Sequence, residues 1–150
     1  MDAYSTLSEI FKAHEGFSAK PYWDYKQWSW GYGLFVPGSV NSPNVVPSGT
    51  ITRDAAMAGS LVHVKKDEAV LKKLVKVSLN SNQWAALLDF AYGNGIGAAQ
   101  KIVPLINAGD DKALFAKMRQ YVNVTENGVL KPLQALKTRR EVEISLWLKK

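Results

Sequence analysis

Leu7, Ile10, Phe11 and His14 recur at a helical interval, which predicts a helix over residues 3–15. Gly16 reads as its left-handed stop. Beyond Pro21 the period shortens to that of a strand. Tyr22, Trp23, Asp24 and Tyr25, followed by Ser29, Trp30, Gly31, Tyr32 and Gly33, predict a hairpin. A turn over residues 25–28 sets Asp24 directly opposite Ser29, with Tyr22 and Gly31 paired next on the same face and Gly33 beyond. Trp28, Trp30 and Tyr32 then point the other way, into packing.

The next stretch, LFVPGSVNSPNVVPSGT over residues 34–50, is rich in loop formers and predicts a third short strand and an exposed loop. Thr52 or Ser48 caps a long helix running through about residue 76, with Asp54 in its first turn. The segment from Ser81, apolar nearly all round, reads as a buried central helix broken at Gly93, Gly95 and Gly97. Shorter helices follow over 98–107 and from Asp110 to about Tyr121. Thr125 to Gly128 is a turn, and Pro132 fits the first turn of a last helix carrying Leu133, Leu136, Arg139, Arg140, Glu143 and Trp147.

A chain of 150 residues suits one domain, or a small lobe with a larger one, and buries enough surface to need no covalent staples. The absence of cysteine leaves the redox compartment open. A net charge of +6 favours an acidic partner: nucleic acid, an anionic membrane or the carboxylate- and phosphate-rich bacterial wall. The aromatics cluster in the hairpin while Lys and Arg are spread, which argues against nucleic acid. The N-terminus lacks the basic and apolar regions of a signal peptide, and no apolar run is long enough to span a membrane.

The chemistry concentrates between Glu15 and Gly33. Glu15 ends a helix, where the macrodipole disfavours negative charge and so favours the protonated form that a general acid needs. Asp24 and Ser29 bring a carboxylate and a hydroxyl to one hairpin face, beside two glycines that leave room for a ligand. His14, Arg139 and Arg140 read as structural. The run Gly93 to Gly97 follows a helix and lacks the spacing of a phosphate loop. Two histidines and no cysteine give no metal site, and no cofactor is indicated.

Glu15-Gly16, Tyr22-x-Asp24, Ser29 and Gly31-Tyr32-Gly33 form an ordered pattern. Gln83-Trp84-x-Ala86-Leu87, Phe90-Ala91-Tyr92, Gly95-Ile96-Gly97, Leu105 to Asp110 and Arg139-Arg140-Glu141 with Glu143 continue it. Together they resemble the phage-type lysozyme (endolysin) family, glycoside hydrolase family 24, over residues 7–148. Three positions depart from the family pattern. The turn after Asp24 is one residue shorter and lacks its glycine, Ser29 stands where Thr is common, and Leu34 replaces a frequent His.

The resemblance implies an α+β, lysozyme-like fold. A small N-terminal β-hairpin lobe, about residues 16–51, is joined by a long helix to a larger all-helical C-terminal lobe formed by residues 1–15 and 52–150, with the active-site cleft between lobes. It implies a single catalytic domain that hydrolyses the β-1,4 bond between N-acetylmuramic acid and N-acetylglucosamine. In that reading Glu15, Asp24 and Ser29 are catalytic, and Tyr22, Gly31, Tyr32, Phe35, Tyr92 and Asn94 contact substrate. The partner is bacterial peptidoglycan, with no nucleic acid and no stable membrane insertion. The enzyme is expected to be a monomer accumulating in the host cytoplasm, reaching the wall with the help of a holin or other permeabilising partner, although packaging in the virion fits equally. A lytic transglycosylase, which needs only one catalytic Glu, and a non-catalytic wall- or nucleic-acid-binding module are the competing readings.

Overall fold

The computed structural model describes residues 2–24 and 26–149. The chain is α+β and divides into two compact units, Ser8–His63 and Met1–Leu7 with Val64–Lys150. The boundaries fall inside helices α1 (Ala3–His14) and α2 (Arg53–Leu74).

The first unit holds a three-stranded antiparallel sheet in the order β1 (Ser18–Asp24), β2 (Gln27–Gly31) and β3 (Leu34–Phe35). The register differs from the expected one. Asp24 pairs with Gln27, Trp23 with Trp28 and Tyr22 with Ser29, so Asp24 is not directly opposite Ser29. The hairpin loop is therefore shorter than residues 25–28, and its Tyr25 lies outside the described residues. The register then shifts between Tyr22 and Ser18, which pairs with Gly31. Pro21, which has no N–H to give to a ladder, lies within that bulge. Trp23 and Trp28 meet edge to face at 5.7 Å, a cross-strand pair that stabilises the tip of the hairpin.

Small residues let α2 lie close against the sheet. A Cβ at Gly31 would come 2.8 Å from that of Ala56, and one at Gly59 would come 2.8 Å from Cδ1 of Leu34. Ile10, Phe11, Trp28, Tyr32, Val36 and Ala56 are the buried apolar residues here. The loop after β3 is tied down where Trp28 Nε1 donates to the Ser42 carbonyl at 2.8 Å, and Ile51 N–H donates to the Ala19 carbonyl at 2.9 Å. Thr52 is the cap of α2: its hydroxyl accepts from Ala55 N–H at 3.1 Å. Gly16 has no left-handed φ, contrary to expectation, because the chain runs straight from α1 into β1.

The second unit is built on α3 (Ser81–Asn94), with α4 (Ile96–Asn107), α5 (Asp111–Met118) and α6 (Gln134–Trp147). Asn80 and Gln83 form a capping box at the start of α3, and every residue from Ala85 to Ala91 is buried. That is what an all-round apolar helix needs. Asn107 joins two helix ends, accepting from Lys76 N–H at 2.7 Å and donating to the Leu74 carbonyl at 3.0 Å.

This unit is not all-helical. Asn123–Glu126 (β4) and Val129–Pro132 (β5) form an antiparallel hairpin, and Pro132 ends a strand instead of opening α6. Asn127 and Gly128 both take positive φ, the requirement of the tight turn that favours strand pairing.

Two arginine–carboxylate pairs are buried in its core. Arg139 clasps Asp89 through two hydrogen bonds of 3.0 and 2.7 Å, and Arg140 clasps Glu143 through two of 2.6 and 2.8 Å. Burial raises the Glu143 carboxyl well above the ordinary range, and its hydrogen bond to Asp89 adds to this. Asp89 is lowered: burial opposes this, but hydrogen bonds from Glu143 and Arg139 outweigh it. Burial thus favours the protonated form of Glu143, while the Asp89 carboxyl is held in its charged form.

Candidate active site

Glu15 follows the last residue of α1 and continues its ladder, its N–H donating to the Phe11 carbonyl at 2.8 Å. Its side chain reaches over Gly33, where a Cβ would lie 3.9 Å from Glu15 Oε2. Gly33 has φ +87°, a conformation that strains any other residue, so the glycine turns the chain and places no side chain against the carboxylate.

Asp24 and Ser29 meet despite the altered register. Tyr22, Asp24, Gln27 and Ser29 alternate onto one face of the hairpin, and the Ser29 hydroxyl donates diagonally to Asp24 Oδ2 at 3.0 Å. Ser29 is fully buried, so the bond is shielded from competing water. Its oxygen also accepts from Gln27 Nε2 at 3.2 Å. Gln27 was not among the expected site residues, because the longer turn placed it off the sheet; strand alternation extended by one pair finds it. The other oxygen, Asp24 Oδ1, is buried and has no hydrogen-bond partner among the described residues. Such an acceptor costs about 1–3 kcal/mol when left unsatisfied, and positions that carry this cost are characteristic of functional sites.

Tyr22 joins the two carboxylates electrostatically. Its phenol is pushed up by partial burial first, then by the charges of Asp24 and Glu15. The residue is 38% exposed, on the hairpin face that carries Asp24. Phe35, paired with Ser29 on the neighbouring strand, is 52% exposed.

The remaining expected residues divide. The room expected at Gly31 is filled by Ala56. Tyr32 is buried, its ring 5.5 Å from that of Phe17. Tyr92 and Asn94 belong to the other unit, at the end of α3, where Asn94 Nδ2 donates to the Phe90 carbonyl at 3.0 Å. That bond commits the amide to closing the helix. Among the described residues no group of three His, Asp or Glu side chains is placed to hold a metal.

A glutamate at a helix end and an Asp–Ser pair on the adjoining hairpin can be compared with known proteins. The chain is 26% identical to an endolysin of Acyrthosiphon pisum secondary endosymbiont phage 1, over 92% of each chain. It superposes on the endolysin of Escherichia coli O157:H7 phage FAHEc1 with a TM-score of 0.81 at 28% identity, covering 99% of this chain and 94% of that one. It shares its fold with the muramidase domain of SpmX from Asticaccaulis excentricus, with a TM-score of 0.82 at 24% identity and coverage of 97% and 96%. The phage lysozyme family model matches residues 12–143, from the last turn of α1 to the buried Glu143, and so takes in both carboxylates, the hairpin and the charged core. The chain belongs to the phage lysozyme family.

Proposed function

We propose that the protein is an endolysin that hydrolyses the β-1,4 bond between N-acetylmuramic acid and N-acetylglucosamine in bacterial peptidoglycan. Glu15 gives its proton to the glycosidic oxygen as the bond from C1 to that oxygen breaks. Asp24 stabilises the positive charge that develops at C1 and assists the water that adds there, or bonds to C1 itself before water does. Ser29, held by Gln27, fixes the direction of the Asp24 carboxylate. Tyr22 and Phe35 offer exposed aromatic surface to the sugars.

The observation that carries this reading is the state of Asp24. One oxygen is pinned at 3.0 Å by a buried hydroxyl, while the other is buried without a partner among the described residues. Asp89, which serves the helical core, has each of its oxygens bonded by Arg139. Release of reducing ends from purified peptidoglycan tests the proposal. Products carrying an anhydro end instead would indicate a lytic transglycosylase, and binding without cleavage a wall-binding module.

No helix among the described residues is long and apolar enough to cross a membrane. The proposed route to the wall is indirect: a monomer in the host cytoplasm reaches it when a holin or similar partner opens the membrane.

A further inference from the structure

The hairpin-bearing unit holds a cavity of about 350 Å³ lined by Ser8, Lys12, Tyr32, Arg53, Asp54 and Met57. It is bounded by successive turns of α1, by the chain between β2 and β3, and by the first turn of α2. None of Glu15, Asp24, Ser29 or Gln27 lines it.

Its charges are arranged for a ligand of mixed sign. Arg53 stacks on the Phe17 ring, its guanidinium carbon 4.3 Å from the centroid, which holds the fork in place while leaving its edge free. Neither Arg53 nor Asp54 makes a side-chain hydrogen bond among the described residues. Lys12 is engaged only at the surface, by Glu9 at 3.3 Å with both side chains more than half exposed, a pair that exchanges readily. Arg53 and Asp54 stand in the first turn of α2, a helix of 22 residues, where the helix dipole is positive. Two cations and a helix N-terminus attract an anion; the adjacent Asp54 repels a dianion such as phosphate and attracts an ammonium.

We infer that this cavity binds the zwitterionic end of an amino acid, the carboxylate on Arg53 and Lys12 and the ammonium on Asp54. Resting on the proposed function, the ligand is the diamino-acid branch of a peptidoglycan stem peptide, which carries both groups on one carbon. The cavity is then a peptide subsite separate from the glycan-cleaving residues, and it favours wall material with uncrosslinked stems.

The test is a titration of the intact protein, followed by amide NMR shifts, with the tripeptide L-Ala-γ-D-Glu-meso-diaminopimelate and separately with inorganic phosphate. It requires no cleavage, so it stands whether or not the protein is a hydrolase. The tripeptide is expected to shift residues around Lys12 and Arg53, with Arg53→Gln weakening it about tenfold and Arg53→Lys less. Asp54→Asn is expected to weaken the tripeptide severalfold and to tighten phosphate. Wild-type protein unmoved by the tripeptide would overturn the inference. So would phosphate binding as well as the tripeptide, or Asp54→Asn leaving tripeptide affinity unchanged; unperturbed spectra away from the cavity confirm that each variant is folded.

Discussion

The Ser29 hydroxyl and Asp24 Oδ2 are 3.0 Å apart although their residues are not paired across the hairpin; Asp24 faces Gln27, and Ser29 faces Tyr22. The contact is diagonal, and a hydroxyl at position 29 spans it because Gln27 holds the oxygen from the side. Threonine keeps that oxygen and adds a methyl, whereas valine keeps the shape and loses the hydroxyl. Ser29→Thr is expected to retain most activity. Ser29→Val is expected to lose at least about tenfold and to cost about 1–3 kcal/mol in thermal unfolding, since Asp24 Oδ2 is left buried and unpaired. Gln27→Met is expected to fall between them in reducing-end release. Equal rates for Thr and Val at position 29 would make Ser29 a packing residue.

Asp24→Asn preserves the shape of the side chain and the bond to Ser29 but removes the charge facing the reacting carbon. Turnover is expected to fall about 10²–10³-fold with the thermal midpoint held or raised. The comparison of kcat with thermal unfolding checks this, and near-normal kcat would remove Asp24 from the reaction.

How much of this was readable from sequence depended on how local the signal was. The helices follow from apolar spacing and caps; Asn80 and Asp110, for example, cap α3 and α5. The β1–β2 register is not legible in the sequence, because no turn signature follows Asp24 and nothing local marks so short a loop. Asn127-Gly128 does carry one, yet both flanking strands are short and β5 is wholly exposed, so no alternation announced them. The Asp89–Arg139 clasp joins residues 50 apart in sequence, beyond the reach of any periodicity.

That clasp has a large expected cost when broken from one side. Arg139→Met leaves Asp89 charged and fully buried, and is expected to lose about 3–5 kcal/mol in denaturant unfolding. Adding Asp89→Leu is expected to recover much of the loss, because the stranded charge goes with it. A single variant as stable as the double one would contradict this.

The opposed shifts of Glu143 and Asp89 give stability a defined pH dependence. Glu143 is raised above its ordinary 4.5, so its contribution is complete below that value and is lost as pH rises through the folded-state value. Asp89 is lowered from 3.8, so its contribution is present above that value and is lost as pH falls. Stability from this cluster is thus greatest between pH 3.8 and pH 4.5 and declines as pH rises above that window. Glu143→Gln, which mimics the protonated acid, is expected to flatten the decline in thermal midpoint as pH rises above 4.5. A variant with the wild-type slope would place the proton elsewhere.

The most direct test of the account is Glu15→Gln. Glutamine keeps the size and hydrogen-bonding shape of the side chain over Gly33 but has no proton to deliver. Reducing-end release from purified peptidoglycan is expected to fall by roughly 10²–10⁴-fold, the contribution of a general acid. The thermal midpoint is expected to stay level or rise, since a negative charge at the C-terminal end of α1 opposes the helix dipole. Measured side by side with wild type, a folded Glu15→Gln protein that still cleaves at the wild-type rate would contradict the assignment of Glu15 as the acid and the mechanism built on it.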